Sequence, residues 1–233
     1  MRKQAISHKI VIIDYGAGNL RSVVKAVAKL GYNAELTNNP HKVMAAHTVI
    51  LPGVGAAGDT MDSLEHLDLV EPIRKVILDN RPFLGICVGL QVLLTSTEES
   101  GGYQCLGLIP GSVRLLPAGL KVPQMGWNQL KQKIEHPIFD GIPDRTNFYF
   151  VHSYHVNPDD HAIVAAETEY GFDLCAMIIH KNLIATQFHP EKSGWFGLKM
   201  LDNFLKFATS DNIQGTQLRK TYGVNQYINR NTA

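Results

Sequence analysis

Short apolar runs alternate with amphipathic stretches through the first half of the chain, and this alternation restricts the possible folds more than any other feature. The runs are rich in β-branched residues and uninterrupted by polar ones, as in strands that are buried on both faces of a sheet. When such strands alternate with helices, right-handed crossovers produce a parallel sheet. The predicted strands are residues 9–14, 34–36, 48–51 and 82–86, and the predicted helices are residues 20–30, 59–79 and 88–95. The first half is therefore predicted to be doubly wound.

The second half has shorter apolar segments that are separated by Gly and Pro. Segments of this kind are typical of antiparallel or mixed strands, so we expect them to extend the parallel sheet. They cover residues 105–109, 112–116, 121–127, 147–154, 162–167, 174–180 and 182–188, and a final amphipathic helix is predicted over residues 196–207. The predicted fold class is α/β, with a doubly wound, mostly parallel sheet and an antiparallel extension.

A single domain is predicted over residues 1–209, because no internal repeat and no convincing linker divides this part of the chain. Its length is that of one large α/β domain. Residues 210–233 are polar, rich in Asn, Gln and Thr, and contain few large apolar side chains. We therefore predict that they form a flexible polar tail.

Composition excludes several classes of protein. Hydrophobic residues make up 45% of the 233 residues and charged residues 18%, which excludes global disorder. The net charge of +1 gives no basis for a general nucleic-acid-binding surface. We find no apolar run long enough to cross a bilayer, and the N-terminal residues lack a secretory h-region. Three scattered cysteines are too few for a disulfide framework, so a reducing, cytoplasmic setting is expected.

The most informative segment is Gly85-Ile86-Cys87-Val88-Gly89, which lies between a predicted buried strand and a predicted helix. A turn of the form G-x-nucleophile-x-G holds the nucleophile in a strained conformation, and side chains in place of the glycines would clash. Cys87 at the start of a helix is therefore a candidate nucleophile. The alternative is that Cys87 is a small buried hydrophobe, the usual role of a free cysteine and the one we assign to Cys105 and Cys175.

A cysteine nucleophile needs a base, and the base needs a group that orients it. His189 follows an apolar run and is separated from Glu191 only by a proline, so that carboxylate can reach its imidazole. His152 and His155, near the end of another predicted strand, are the competing bases. An active site is expected beyond the carboxyl ends of the strands of such a sheet.

The segment Gly53-Val54-Gly55 also follows a predicted strand and is a candidate oxyanion-binding loop. Backbone N–H groups aimed at a developing oxyanion stabilise it, and the Val54 and Val88 amides are the candidate donors. The alternative is an ordinary glycine turn. An earlier pair of glycines lacks the third glycine of a dinucleotide fingerprint, and no residues have metal-ligand spacing. We predict neither a cofactor nor a metal.

These motifs resemble a known family. GICVGLQ (residues 85–91) with QFHPEKS (residues 187–193) resembles the triad signature of the class I glutamine amidotransferases. DYGAGNLRS (residues 14–22), LPGVG (51–55), PQMGWN (123–128) and FYFVHSY (148–154) resemble, within that family, the glutaminase subunits of imidazole glycerol phosphate synthases. The resemblance covers residues 9 to 208 approximately and implies a flavodoxin-like fold.

The resemblance implies that Cys87, His189 and Glu191 form a catalytic triad that hydrolyses glutamine to glutamate and ammonia. It further implies a set of residues that hold the glutamine, among which the choice between Glu98 and Glu99 stays open. That set is Gly53, Gln91, Glu99, Ser153 and Tyr154.

The resemblance also implies a partner, a (β/α)8-barrel cyclase subunit that forms a heterodimer with the glutaminase and receives its ammonia in histidine biosynthesis. Five residues match the family's partner-facing surface: Asn19, Pro123, Met125, Trp127 and Lys192. Without the resemblance, Met125 and Trp127 would be assigned to the core.

Two alternative functions stay open at this point. Paralogous glutaminases supply ammonia for the amidation of surface-polysaccharide sugars, and the triad does not separate them from the histidine pathway. The long Asn-rich tail, and Ala57 where the family usually has a bulkier aromatic residue, leave room for that alternative. An alternative from another class is a catalytically silent α/β module that only binds or regulates a partner.

Overall fold

A computed structural model describes residues 8–18 and 20–210. Along the chain its strands are β1 (Ile10–Ile13), β2 (Ala34–Thr37), β3 (Thr48–Gly53), β4 (Phe83–Cys87), β5 (Ser96–Thr97), β6 (Tyr103–Gln104), β7 (Gly111–Leu115), β8 (Gln124–Gln132), β9 (Thr146–His152), β10 (Tyr154–Pro158), β11 (Val164–Glu169), β12 (Asp173–His180) and β13 (Leu183–Thr186). Its helices are α1 (Leu20–Lys29), α2 (Pro40–Met44), α3 (Ala57–His66), α4 (Val70–Leu78), α5 (Val88–Gln91) and α6 (Gly194–Thr209).

Nine strands form the central sheet, in the order β2-β1-β3-β4-β13-β12-β11-β8-β9. The strands from β2 to β13 pair in parallel, and those from β13 to β9 pair antiparallel. All residues of β1, β3, β4 and β13 are buried, because helices cover both faces of this part of the sheet. The predicted fold class is confirmed.

The predicted helix over residues 59–79 is in fact two helices, α3 and α4. Between them Asp68 has a φ of 55°, a left-handed conformation that ends a helix and that Asp tolerates. The Leu69 N–H then bonds to the Leu64 carbonyl at 2.9 Å, which closes the end of α3. Both leucines are fully buried, so the reversal of the chain at Asp68 lets both enter the core.

Two neighbouring predictions were wrong for one shared reason. The helix predicted over residues 88–95 ends at Gln91, and residues 105–109 form a loop and not a strand. The N–H groups of Leu106, Gly107 and Leu108 bond to the carbonyls of residues 92–94. The Thr95 N–H bonds to the distant Gly111 carbonyl at 3.1 Å and not to that of Gln91, so long-range hydrogen bonds replace the local ones that a helix through residue 95 requires.

The antiparallel extension is divided between two sheets. A separate four-stranded sheet has the order β10-β7-β5-β6, so only part of the second half extends the central sheet. The strand predicted over residues 147–154 crosses from one sheet to the other at Ser153, which separates β9 from β10. The domain boundary and the tail predicted from residue 210 stay predictions, since residues 211–233 lie outside the described part.

Candidate active site

The candidate catalytic residues lie at one edge of the sheet, because three neighbouring parallel strands end there. Gly53 at the end of β3 pairs with Cys87 at the end of β4. Thr186 at the end of β13 pairs with Ile86, which places His189 three residues beyond the same edge. The sheet therefore brings together segments that are far apart in the sequence, at the position where open α/β sheets hold their ligands.

Cys87 lies in a strained turn between β4 and α5. Its φ of 55° and ψ of −107° are unfavourable for any residue except glycine. The flanking glycines are required by close packing: a Cβ on Gly89 would lie 2.0 Å from the Leu51 carbonyl oxygen, and one on Gly85 would lie 2.6 Å from the Gly89 oxygen. The geometry is that of a nucleophile elbow, as predicted.

Cys87 is 4% exposed, and its thiol contacts polar groups at hydrogen-bond range for sulfur. The Gln187 amide nitrogen lies 3.7 Å from Sγ, and Sγ lies 3.9 Å from the Val151 carbonyl oxygen. Gln187 in turn accepts a hydrogen bond from the Gln91 amide at 3.3 Å. The contact of Gln187 with the thiol was not predicted from the sequence. The usable signal was a polar residue inside an apolar run, two positions before the candidate base.

His189 is paired with Glu191 through a 2.8 Å hydrogen bond between Nδ1 and Oε1, and both side chains are 1% exposed. Burial would lower the pKa of His189, but Cys87 and then Glu191 raise it to about 9. The Nε2 atom on the other side of the ring has no hydrogen-bond partner at normal geometry among the described residues, and Cys87 is the group besides Glu191 that raises the pKa of this ring. Because Glu191 and Cys87 both stabilise the imidazolium, the arrangement suits proton transfer between His189 and the thiol.

The loop that carries His189 is fixed by strand β9. The His189 N–H donates to the Tyr149 carbonyl at 2.9 Å, and the Tyr149 N–H donates to the Ser193 hydroxyl at 2.9 Å. That hydroxyl donates to the His189 carbonyl at 2.7 Å. Ser193 therefore orients His189 through the backbone, a contribution that the sequence patterns did not indicate.

Of the two competing histidines, His152 lies in the site and His155 does not. The His152 Nδ1 atom bonds to the Tyr154 carbonyl oxygen at 2.9 Å, so this nitrogen carries the proton. Burial lowers the pKa of His152 to about 4, and the ring is neutral at pH 7. The ring of His155 packs against Phe172, with centroids 5.4 Å apart. Of these three histidines, only His189 combines a carboxylate partner with Cys87, and the geometry therefore favours it as the base.

A cavity of about 390 Å³ lies in front of the thiol, a volume that is ample for an amino acid. Most of the residues predicted for the site line it: Val54, Cys87, Val88, Gln91, Glu99, Pro123, Ser153, Tyr154, His189 and Lys192. Gly53 ends the adjacent strand, and Glu191 is buried behind His189. The structure therefore brings together residues from both sheets.

Glu99 and Glu98 point to different places. Glu99 lines the cavity with Cys87, and its Oε2 accepts the Ala57 N–H at the start of α3, at 2.7 Å. Glu98 accepts the Leu115 N–H and lines a separate depression on the smaller sheet. Of the two acids, only Glu99 is in position to contact a molecule in the cavity.

Two of the residues predicted to face a partner, Pro123 and Lys192, line this cavity. Two others, Met125 and Trp127, follow on β8, and 63% and 55% of their surface is exposed. Two large apolar side chains on one exposed strand face are typical of a protein interface and not of a core. Asn19 lies outside the described residues.

Within residues 8–18 and 20–210, no group of three or more His, Cys, Asp or Glu side chains is arranged to hold a metal ion. Within the same residues, no helix has the length and apolar character needed to span a membrane.

Comparison with known proteins agrees with this geometry. The family model described as glutamine amidotransferase class-I matches residues 11–207. A protein of Dehalococcoides mccartyi (strain CBDB1) named imidazole glycerol phosphate synthase subunit HisH is 55% identical over 87% of this chain and 98% of its own. The proteins with that name in Geobacter sulfurreducens and Chloroflexus aurantiacus are 53% and 51% identical, over 84% and 85% of this chain and 97% and 96% of their own.

Solved structures show the same fold at low sequence identity. A glutamine amidotransferase superposes with a TM-score of 0.68 at 18% identity, over 85% of this chain and 98% of that one. The structure of PurLQS from Thermotoga maritima has a TM-score of 0.69 at 17% identity, with the same coverage. The family match, the curated relatives and the shared fold lead to one conclusion: this chain belongs to the class I glutamine amidotransferases, and within them to the HisH subunits of imidazole glycerol phosphate synthase.

Proposed function

We propose that this chain hydrolyses glutamine with Cys87, His189 and Glu191 and passes the ammonia to a cyclase subunit in histidine biosynthesis. The observation that carries the proposal is the buried His189–Glu191 pair facing a strained cysteine at the edge of the sheet. A catalytically silent module has no need of this arrangement. The curated relatives carry the HisH name, which favours the histidine pathway over sugar amidation.

In the proposed reaction, His189 accepts the Cys87 thiol proton as the sulfur attacks the side-chain amide carbon of glutamine, and it passes this proton to the departing nitrogen. Ammonia leaves and a glutamyl thioester of Cys87 remains. His189 then takes a proton from a water molecule and the hydroxide attacks the thioester. Glutamate leaves as His189 returns that proton to the Cys87 sulfur. Glu191 holds the imidazole in place and stabilises its charged form throughout.

The oxyanion that forms in each step needs N–H donors, and we assign them to Val54 and Val88. Both residues line the cavity at the ends of neighbouring strands. One such donor contributes roughly 10²–10³ in rate. Glycines on both sides of Val54 let its peptide rotate at small steric cost. We therefore propose that this peptide faces away from the oxyanion in the lone chain, which hydrolyses glutamine poorly, and that the bound partner favours the state in which the Val54 N–H faces the oxyanion.

For substrate binding, we propose that Glu99 receives the α-ammonium group of glutamine and that Gln91, Ser153, Tyr154 and Gly53 complete the pocket. The Gln91 amide donates to the Tyr154 carbonyl at 2.8 Å, which links helix α5 to the strand that crosses between the sheets. Substrate groups are thereby held by elements of both sheets around the thiol.

The partner in this proposal is a (β/α)8-barrel cyclase that binds over the cavity mouth and receives ammonia without its release to solvent. The exposed Met125 and Trp127, with Pro123, Lys192 and Asn19, form the proposed contact surface. We place this reaction in the cytoplasm, a reducing compartment that suits three free cysteines.

The test is glutamine hydrolysis by the Cys87→Ala and Cys87→Ser variants, with Cys105→Ala as the matched control. Cys105 is also buried, and burial raises the pKa of its thiol to about 11, so it is a poor nucleophile. Both Cys87 variants should lose several powers of ten in turnover, whereas the control should keep it. Substantial hydrolysis by Cys87→Ala would show that the nucleophile is wrongly assigned.

A further inference from the structure

Two buried polar side chains face each other across the end of the β8–β9 ladder, next to the candidate active site. Gln124, the first residue of β8, pairs with His152, the last residue of β9. Residues directly opposite in an antiparallel pair have their side chains on the same face of the sheet, with Cβ atoms about 4.5–5.5 Å apart. Gln124 is fully buried and His152 is 6% exposed. The two side chains are therefore neighbours inside the protein.

This pair has several polar atoms without a hydrogen-bond partner among the described residues: Nε2 and Oε1 of Gln124, and Nε2 of His152. Buried polar groups are normally paired, since an unpaired one costs about 1–3 kcal/mol. The His152 Nδ1 atom donates to the Tyr154 carbonyl at 2.9 Å, so Nε2 of this neutral ring is an acceptor. The pair therefore presents one NH2 group and two acceptors to a small molecule.

The pair lies between the thiol and the proposed partner surface. The Val151 carbonyl oxygen lies 3.9 Å from the Cys87 sulfur, and the next residue, His152, lines the cavity in front of that sulfur. On the other strand, Pro123 lines the same cavity and Met125 is exposed. The pair is thus placed beside the route from the thiol to the proposed partner.

Ammonia fits this pair by its hydrogen bonds and by its charge. Its three N–H groups and one lone pair match the two acceptors and the NH2 group. Ammonia must reach a cyclase unprotonated, because it reacts through that lone pair. Burial lowers the pKa of His152 to about 4, so the ring gives ammonia no proton at pH 7. The other groups that act on this pKa are the Tyr154 backbone, His155 and His189, and none of them is a carboxylate that would stabilise ammonium.

We propose that Gln124 and His152 bind the ammonia released at Cys87 and direct it to the partner. The inference rests on the proposed function, in which a cyclase subunit consumes this ammonia. An ordered water molecule would satisfy the same polar atoms, but the fate of the ammonia would then be independent of the pair. The two possibilities therefore differ in where the nitrogen of glutamine goes.

The test follows a heavy-nitrogen label in the side-chain amide of glutamine, in the complex with the cyclase subunit and its substrate. The measured quantity is the ratio of label in the cyclase product to label in ammonium released to solvent. This ratio does not depend on the rate of hydrolysis. It should fall about three- to tenfold in Gln124→Met and in His152→Asn, the equivalent of one lost hydrogen bond. Asn in place of His152 can keep the bond to the Tyr154 carbonyl but lacks Nε2.

Gln129→Met is the matched control, because Gln129 is an exposed residue of the same strand. The melting temperature of Gln124→Met should stay the same or rise, since the change removes two buried unpaired polar atoms. If this variant does not fold, His152→Asn decides the test.

Ratios that match the wild type in both variants would overturn the inference, and the pair would then hold an ordered water only. An equal fall in Gln129→Met would also overturn it, because the loss would then come from a loosened interface. If the wild-type complex passes no label into the product, the proposed function itself fails. If the wild-type complex passes label and the variants match it, only the role of Gln124 and His152 fails.

Discussion

Replacing Cys87 by glycine should measure the strain stored at the nucleophile. At an unstrained buried position, an Ala to Gly change costs about 1.5 kcal/mol, through a more flexible unfolded chain and the loss of a buried methyl group. At Cys87 the φ of 55° and ψ of −107° store about 1–3 kcal/mol in any residue with a Cβ, and glycine releases it. The Cys87→Gly protein should therefore be about as stable as Cys87→Ala, or up to about 1.5 kcal/mol more stable.

The assay is urea unfolding of Cys87→Ala, Cys87→Gly, the wild type and a control, Ala185→Gly. Ala185 is fully buried in β13 and pairs in regular register with strands on both sides, so its change should cost the ordinary amount. The cost in free energy of unfolding is compared between the step from Cys87→Ala to Cys87→Gly and the Ala to Gly step of the control, and the difference is the strain energy at residue 87. Both Cys87 variants lack the nucleophile, so the comparison does not depend on activity. Equal losses of stability at the two positions would refute the strained elbow.

Three further predictions concern the base, the second histidine and the tail. Glu191→Gln should lower the rate of glutamine hydrolysis by about 10²–10⁴, because the imidazolium loses its charged partner; a loss under tenfold would contradict the triad. Between pH 6.5 and about 4, His152 binds a proton in the unfolded chain but not in the folded one. The free energy of unfolding of the wild type should therefore fall by up to about 3 kcal/mol as pH falls through this window. In unfolding titrations, the free energy of His152→Asn should fall by correspondingly less, and an equal fall in both proteins would contradict the lowered pKa of His152. Deleting residues from Asn212 onward should change neither the melting temperature nor basal hydrolysis, and a marked fall in either would show that the tail docks on the domain.

The parallel half of the fold and the triad could be predicted because their signals are local. Each buried strand is a continuous apolar run, and each is followed by a recognisable turn at the same edge of the sheet. Once the strands are parallel, Gly53, Cys87 and the segment before His189 must converge. The order of strands in the sheet, and hence the neighbours of each turn, did not follow from these patterns.

Features that depend on distant contacts were not predictable from local patterns. The break at Asp68 depends on where Leu69 finds a buried site, and the end of α5 depends on the loop at Leu106. The crossing at Ser153 depends on a second sheet that local patterns did not indicate. The contact of Gln187 with Cys87 and the packing of Tyr15 against Gly53 arise from the same long-range assembly.

The decisive experiment measures the product of the cyclase subunit in complex with the wild-type or the Cys87→Ala chain, supplied with either glutamine or ammonium chloride. The wild-type complex should form product from both nitrogen sources. The Cys87→Ala complex should form it only from ammonium, because the variant lacks the nucleophile but keeps the fold. Product formation from glutamine by the Cys87→Ala complex, or its absence from glutamine in the wild-type complex, would contradict the central claim.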